Sequence, residues 1–296
     1  MPYRPISVSV EHDLEVRGLR YRLREWQVGA TPAPLLVLLH GYMDVSASFQ
    51  FLVDCLRRRW RVVSFDWRGF GASESGRADS YWFPDYLGDL DAVLDALSPA
   101  EPVRLVGHSM GGNIAMIYAG VRPRRVAGLV NLEGFGLKTA GPALAPARYA
   151  EWLDSLRRPM RLRDYPSRDA VAERLMTTNP RLPLDKARFL AAHWAAPDPK
   201  GRQVVRADPA HRRVNPVLYR LDEVLACWRA IEAPVLWVSS DADDASHRFT
   251  RTAEYRQRLT AIARLTEKEV ADAGHMLHHD QPAAVARLVE EFFTDE

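Results

Sequence analysis

Short, mainly apolar runs recur along the chain, and most of them are followed by a segment with helical periodicity. Residues 35–39 form a continuous apolar run of the kind that a strand buried on both faces requires, and 62–65, 103–106 and 126–132 are also predicted strands. Strands that take turns with helices in this way form a mostly parallel sheet with helices packed on its faces. The sequence therefore predicts an α/β fold.

The alternation has a clear beginning, an interruption and an end. Residues 5–12 and 17–28 alternate like two antiparallel strands, and the regular pattern stops at about residue 136. It resumes with a strand at 234–239, followed by a helix near 250–263, a strand near 264–270 and a helix near 282–293. We therefore expect a core domain made of residues 1–135 and 234–296, with a mainly helical cap domain, or lid, at 136–233 inserted after the sixth strand.

Composition and charge exclude several classes of protein. The 40 Lys and Arg nearly balance the 38 Asp and Glu, which argues against a nucleic-acid-binding arm. Cys55 and Cys227 are too few for a disulfide framework and lack metal-ligand spacing. No run reaches about 18 apolar residues. We expect a cytoplasmic protein with no membrane span and no nucleic-acid partner.

One serine stands at the end of a predicted strand, in the stretch VGHSMGGN at 106–113. A sharp strand-to-helix turn would expose the Ser109 hydroxyl at the carboxyl edge of the sheet, where ligands of such folds bind. Gly107 and Gly111 would allow the turn and the close approach of strand and helix. The alternative is a chance string in which Ser109 caps a helix. The strand-turn-helix context favours a nucleophile.

A serine hydroxyl is a weak nucleophile and needs a base beside it. His275 follows the last predicted strand and would lie at the same edge of the sheet as Ser109. His278 and His279 fall in the turn before the final helix, where a solvated or capping role is expected, although either could replace His275 as the base.

The base in turn needs a carboxylate that orients it. Three aspartates, Asp241, Asp243 and Asp244, leave the strand at 234–239. Asp243 has the offset from Pro234 that lets the loop fold back toward the histidine, whereas the other two fit helix capping or solvent. Glu133, which follows the strand at 126–132, is the alternative acid.

Taken together, these motifs resemble the α/β-hydrolase superfamily, in the branch that carries a cap domain. The resemblance implies a central sheet of about eight strands and a triad of Ser109, Asp243 and His275. It also implies an oxyanion hole formed by the backbone N–H groups of Tyr42 and Met110. The motifs that carry it are His40-Gly41-Tyr42, the segment DWRGFGAS at 66–73, the nucleophile turn Gly107-His108-Ser109-Met110-Gly111, the Asp243 loop, and Gly274-His275 with Pro282 behind it.

These residues predict a serine-dependent hydrolase of a small-molecule ester that works without a metal or a cofactor. Haloalkane dehalogenases and the usual epoxide hydrolases of this fold need an aspartate where Ser109 stands. A thioesterase and a carbon–carbon bond hydrolase keep a serine triad and stay open as alternatives, as does a binding protein that has lost catalysis. We expect a monomer or a homodimer.

The predicted cap is rich in large apolar residues and in arginine. Four aromatic residues are candidates for the pocket wall: Trp152, Trp194, Tyr219 and Trp228. Residues 136–232 hold 18 Lys and Arg against 11 Asp and Glu. A basic lid could attract an anionic substrate. With only four lysines in the chain, a general preference for arginine in its coding is the simpler explanation.

Overall fold

A central sheet of eight strands organises the chain, and the computed structural model describes residues 2–243 and 245–294. Three further short strands form a separate sheet. The strands of the described residues are β1 (Val10–Val16), β2 (Leu19–Val28), β3 (Leu35–Leu39), β4 (Trp60–Phe65), β5 (Val103–His108), β6 (Val126–Leu132), β7 (Asp164–Tyr165), β8 (Ala195–Pro197), β9 (Gln203–Val205), β10 (Val235–Ser240) and β11 (Leu265–Val270).

The order of the strands in space brings several strand ends to one edge. The central sheet runs β1-β2-β4-β3-β5-β6-β10-β11. The pairs β1–β2 and β2–β4 are antiparallel, and every pair from β4 to β11 is parallel. Consequently β3, β5, β6, β10 and β11 all end at the same edge, which is where open α/β sheets bind ligands. The predicted fold class is confirmed.

Helices cover both faces of this sheet and bury two apolar layers. One layer includes Leu90, Ile114 and Tyr255, and the other includes Leu52 and Val289. None of the helices among the described residues is both long and apolar enough to cross a membrane. The helices are α1 (Gln50–Val53), α2 (Phe83–Leu97), α3 (Met110–Val121), α4 (Ala145–Leu156), α5 (Arg168–Thr178), α6 (Leu184–Trp194), α7 (Leu221–Arg229), α8 (Ala245–Thr250), α9 (Ala253–Leu259), α10 (Leu277–Asp280) and α11 (Pro282–Phe292).

Two predicted elements differ from the structure. The first strand begins at Val10, not at residue 5, because the backbone N–H groups of Ile6 and Ser7 donate to the Asp54 carboxylate and pair with no strand. The helix predicted near 250–263 is shorter in the structure, where α9 covers Ala253–Leu259 and a separate helix, α8, precedes it. Thr252 caps α9 by accepting from the N–H of Tyr255.

The segment that interrupts the alternation contains more than helices. Helices α4, α5 and α6 are joined by the three-stranded antiparallel sheet β7-β9-β8, whose strands have only two or three residues. Helix α7, at the end of this segment, packs on α3, and Trp228 belongs to the same apolar layer as the core helices. The division at 136 and 233 remains a prediction, and the small sheet is an addition to it.

The contact between α3 and α7 predicts a sharp difference between two glycine substitutions. A Cβ on Gly120 would lie 1.9 Å from the backbone oxygen of Cys227, whereas one on Gly141 would meet nothing within 4 Å. We expect Gly120→Ala to lower the free energy of unfolding by about 1–3 kcal/mol, because overpacking outweighs the gain in helix propensity. Gly141→Ala is the control, and denaturant unfolding is the measurement. Equal stability of the two variants would contradict this packing.

Candidate active site

Ser109 stands on the turn between β5 and α3 in a backbone conformation that side chains rarely adopt, with φ of 50°. Two glycines make the turn possible. A Cβ on Gly107 would lie 2.6 Å from backbone atoms of Gly111, and a Cβ on Gly111 would lie 2.2 Å from the backbone oxygen of Leu39. The steric role predicted for both glycines is confirmed, and a strained, partly exposed serine is typical of functional sites.

His275 is the histidine that reaches Ser109. Its Nε2 lies 3.0 Å from Ser109 Oγ, and its Nδ1 lies 3.3 Å from Oε2 of Glu133. The loop after β11 thus brings the imidazole between a hydroxyl and a buried carboxylate. The imidazole thus contacts the hydroxyl through one ring nitrogen and the carboxylate through the other. This is the arrangement that can activate a serine as a nucleophile.

Glu133 is a buried carboxylate held from three directions. It follows β6 with φ of 58°. Its Oε1 accepts a hydrogen bond of 2.5 Å from the N–H of Ser240, and its Oε2 lies 2.8 Å from Nε2 of His247. Burial raises the pKa of Glu133, but hydrogen bonds from His247 and His275 outweigh this and hold that pKa below its ordinary value. The carboxylate is therefore ionised at neutral pH.

The acid expected from the sequence, Asp243, does not contact His275. Its side chain is 72% exposed and forms ion pairs of 3.5 and 3.6 Å with Arg248 and Arg251. The choice between the two acids is corrected accordingly, because Glu133 occupies the position beside the imidazole. Asp241 accepts from the backbone N–H groups of Asp272 and Ala273, on the loop that leads to the histidine. Asp244 lies outside the described residues.

His278 and His279 are buried, not solvated as expected, and neither contacts Ser109. The Nε2 atoms of His278 and His279 lie 3.1 and 2.7 Å from the Ser48 hydroxyl. With Asp44 they form the one group of the described residues whose ligand-type atoms are close enough to hold a metal, within 4.8 Å of one another. The Ser48 hydroxyl already supplies hydrogen bonds inside this group.

The two backbone segments that carry Tyr42 and Met110, the residues expected to form an oxyanion hole, meet at Ser109. A Cβ on Gly41 would lie 3.2 Å from Cβ of Ser109, so the loop carrying Tyr42 runs directly past the hydroxyl. Met110 is the first residue of α3, and an N–H at that position has no acceptor within its own helix. His108 is buried, and its Nε2 donates a 2.8 Å hydrogen bond to the backbone oxygen of His275, which fixes the two loops together.

Two chambers open on either side of Ser109, and Tyr42, Ser109 and His275 line both. The larger, of about 660 Å³, has a wall of six aromatic residues besides Tyr42 and is called the aromatic chamber here. These residues are Tyr81, Trp82, Phe83, Tyr86, Phe135 and Tyr219.

The smaller chamber, of about 430 Å³, lies under α5, α6 and the three-stranded sheet. Three arginines line it, Arg163, Arg174 and Arg212, and it is called the arginine chamber here. Both volumes are in the range of small-molecule sites.

The four predicted pocket residues divide into two pairs. Tyr219 lines the aromatic chamber, and Trp194 lines the arginine chamber, where its Nε1 donates to the backbone oxygen of Met43 at 2.6 Å. Trp152 lies on α4 and lines neither chamber. Trp228 is buried against Trp237, because α7 packs on the core instead of facing the substrate.

Two histidines of the site, His247 and His211, belong to no motif that would identify them from the sequence. His247 lies on α8 and contacts both Glu133 and the Ser240 hydroxyl, the latter at 2.8 Å. His211 is stacked between Phe70 and Tyr81, with ring centroids 3.7 and 3.9 Å away. Burial lowers the pKa of His211 to about 4, so it is a neutral packing residue that joins the inserted segment to the core.

Comparison with known proteins identifies the family. A family model for the alpha/beta hydrolase fold matches residues 34–282, which is most of the chain. The chain belongs to the alpha/beta hydrolase family. Members of this family are hydrolases, and the fold described above is theirs.

Individual relatives of the chain have several named activities. A serine hydrolase-like protein of Danio rerio is 27% identical over 276 residues, covering 87% of this chain and 80% of that protein. Epoxide hydrolase B of Mycobacterium tuberculosis is 34% identical over 127 residues, covering 42% of this chain and 35% of its own. The solved structure of a thioesterase domain from the curacin biosynthetic pathway has a TM-score of 0.84 at 24% identity, covering 96% of this chain and 99% of that domain.

The contacts of Glu133 predict which carboxylate matters for activity. We expect Glu133→Gln to lower kcat for an ester by about 10³- to 10⁴-fold, because an amide in place of the carboxylate no longer fixes the imidazole tautomer. Asp243→Asn and Asp241→Asn are the matched controls and should stay close to the wild type. Steady-state kinetics is the measurement, with circular dichroism to check folding. A crippled Asp243→Asn beside an active Glu133→Gln would restore the first assignment.

Proposed function

We propose that the protein is a serine hydrolase that cleaves a carboxylic ester of a small or medium-chain acyl substrate. One observation carries the proposal: His275 lies 3.0 Å from the Ser109 hydroxyl on one side and 3.3 Å from the buried Glu133 carboxylate on the other. These contacts join a nucleophile, a base and an orienting acid at one edge of the sheet, beside two chambers.

The first half of the reaction forms an acyl-enzyme. Ser109 Oγ attacks the ester carbonyl carbon while His275 Nε2 takes the hydroxyl proton. The carbonyl electron pair moves to oxygen, and the N–H groups of Tyr42 and Met110 donate to this oxyanion. When the pair returns, the carbon–oxygen bond to the leaving group breaks. The imidazolium of His275 gives its proton to the departing alcohol, and the acyl group stays on Ser109.

The second half repeats these steps with water. His275 takes a proton from the water, whose oxygen attacks the acyl carbon, and the bond to Ser109 Oγ breaks as the proton returns to it. Glu133 stabilises the imidazolium in both halves. Because hydrogen bonds keep the pKa of Glu133 below its ordinary value, the carboxylate stays charged while His275 gains and loses its proton.

The similarity to an epoxide hydrolase raises a second reaction, which the nucleophile argues against. A carboxylate that opens an epoxide forms an ester, and water can hydrolyse that ester. A serine hydroxyl that opens an epoxide forms an ether, which this machinery has no means to cleave. The Ser109 hydroxyl, which lies 3.0 Å from His275 Nε2, therefore favours an acyl substrate.

A thioester is the nearest alternative substrate, because the same acyl-enzyme forms when a thiolate leaves. The structural likeness to a thioesterase domain supports this alternative at the level of the fold. A carbon–carbon bond hydrolase with the same triad is a further alternative. The ester, thioester and carbon–carbon alternatives therefore differ in the group that leaves the acyl carbon: an alcohol, a thiol or a carbon group.

The proposal predicts that Ser109→Ala abolishes hydrolysis of short p-nitrophenyl esters with the fold intact. Loss of a triad nucleophile costs about 10⁶-fold in kcat in a serine hydrolase. Steady-state rates of p-nitrophenol release are the measurement, with styrene oxide as a second substrate. More than about a tenth of the wild-type rate in Ser109→Ala would refute the nucleophile, and turnover of the epoxide would refute the reaction class.

The aromatic chamber predicts a preference for medium acyl chains over acetate. Each methylene buried in the transition state contributes up to about 0.8 kcal/mol. We therefore expect kcat/KM to rise along a series of p-nitrophenyl esters from acetate until the chamber is filled. A flat or falling series, with activity confined to acetate, would show that the acyl group does not enter this chamber.

A further inference from the structure

We propose that the arginine chamber is a binding subsite for an anionic group of the substrate, a carboxylate or a phosphate. This inference rests on the proposed function, since it assumes that a scissile bond lies at Ser109. It assigns the two chambers to different parts of one substrate. An apolar part would enter the aromatic chamber, and a negatively charged part would lie among Arg163, Arg174 and Arg212.

The three arginines line the chamber without a close acidic partner. Among the residues that the structure describes, none of the three forms an ion pair within 4.0 Å, and Arg163 stacks over the Tyr165 ring. Other arginines of the same segment do find partners. Arg188 pairs with Asp169 at 2.8 Å, and Arg202 pairs with Asp164. Arg163, Arg174 and Arg212 thus place three guanidinium groups without an ion pair along the cavity that reaches Ser109.

Little negative charge offsets these arginines inside the chamber. Asp44 is its one carboxylate among the described lining residues. The lining therefore attracts an anion, and a guanidinium group binds carboxylate or phosphate oxygens with two parallel hydrogen bonds.

The aromatic chamber has a different lining. Its cations are Lys138, Arg148 and Arg213, of which Arg213 is paired with Asp79 at 3.5 Å and also donates to its backbone oxygen. Glu133 adds an ionised carboxylate, and the remaining wall is largely aromatic. Among the described lining residues, the arginine chamber thus has three guanidinium groups without an ion pair, against one, Arg148, in the aromatic chamber.

The arginine chamber lies next to Ser109, so a group bound there would help to position the scissile bond. Tyr42, Ser109 and His275 lie at the junction of the two chambers. A substrate whose carbonyl is at Ser109 must extend one side of that carbonyl into each chamber or into solvent. The anion could belong to the acyl part or to the leaving group, and the experiment below has one arm for each.

The test compares charged and neutral substrates of the same shape. The acyl arm uses the mono-4-nitrophenyl ester of glutarate and its methyl-capped neutral counterpart. The leaving-group arm uses butyryl-CoA and the neutral thioester S-butyryl-N-acetylcysteamine. The triple variant Arg163→Gln, Arg174→Gln, Arg212→Gln removes the subsite. The triple variant Arg158→Gln, Arg168→Gln, Arg229→Gln is the control, because it removes the same net charge from exposed positions that line neither chamber.

We expect the first triple variant to lose about tenfold or more in kcat/KM for the charged substrate of one arm, mainly through KM, while its neutral counterpart changes little. The control variant should keep the charged-substrate rate. The wild-type preference should also weaken with salt, because the three side chains are exposed. The arm that responds identifies whether the anion is on the acyl part or the leaving group.

Three results would overturn the inference: equal losses in both triple variants, equal losses for charged and neutral substrates, or no loss in either arm. Failure of the proposed function is distinguishable from these, since the neutral esters would then not be hydrolysed at all. Binding provides an independent readout. Ser109→Ala protein should bind glutarate or CoA in calorimetry, and the added triple substitution should abolish that binding.

Discussion

The buried Glu133 carboxylate is the interaction on which the site depends. It joins the end of β6 to Ser240 at the end of β10, and through His247 and His275 to α8 and the loop after β11. An ionised carboxylate is costly to bury unless its oxygens accept hydrogen bonds, and here each of them does. The same contacts that satisfy the charge hold the imidazole against Ser109. The contacts that stabilise this edge of the sheet are therefore the same contacts that orient the His275 imidazole.

Much of the fold was predictable because buried parallel strands have a plain signature. The runs at 35–39 and 126–132 are strands with the expected bounds, and the glycines around Ser109 have the expected steric role. The small sheet β7-β9-β8 was not predictable, because strands of two or three residues have no periodicity. Trp228 was misplaced for a related reason. Apolar spacing indicates a buried helix face but does not say whether the core or a pocket covers it.

The choice of acid shows where reasoning from sequence fails in this site. Asp243 and Glu133 each follow a strand that ends at the correct edge. What separates them is local. The positive φ of Glu133 turns its side chain into the sheet edge, where Ser240 and His247 receive it, whereas Arg248 and Arg251 hold Asp243 at the surface. Neither the backbone conformation of Glu133 nor the side-chain contacts of the two acids could be inferred from the order of residues. The chambers likewise arise from side chains far apart in the chain.

The most direct test of the account is to trap the acyl group. Wild-type protein mixed with a slowly deacylating ester, quenched in acid and digested, should yield an acyl adduct on the peptide that contains Ser109. The adduct should form more slowly in Glu133→Gln, because attack by Ser109 needs an oriented His275. Product formation without an adduct, or an adduct on a different residue, would contradict the account.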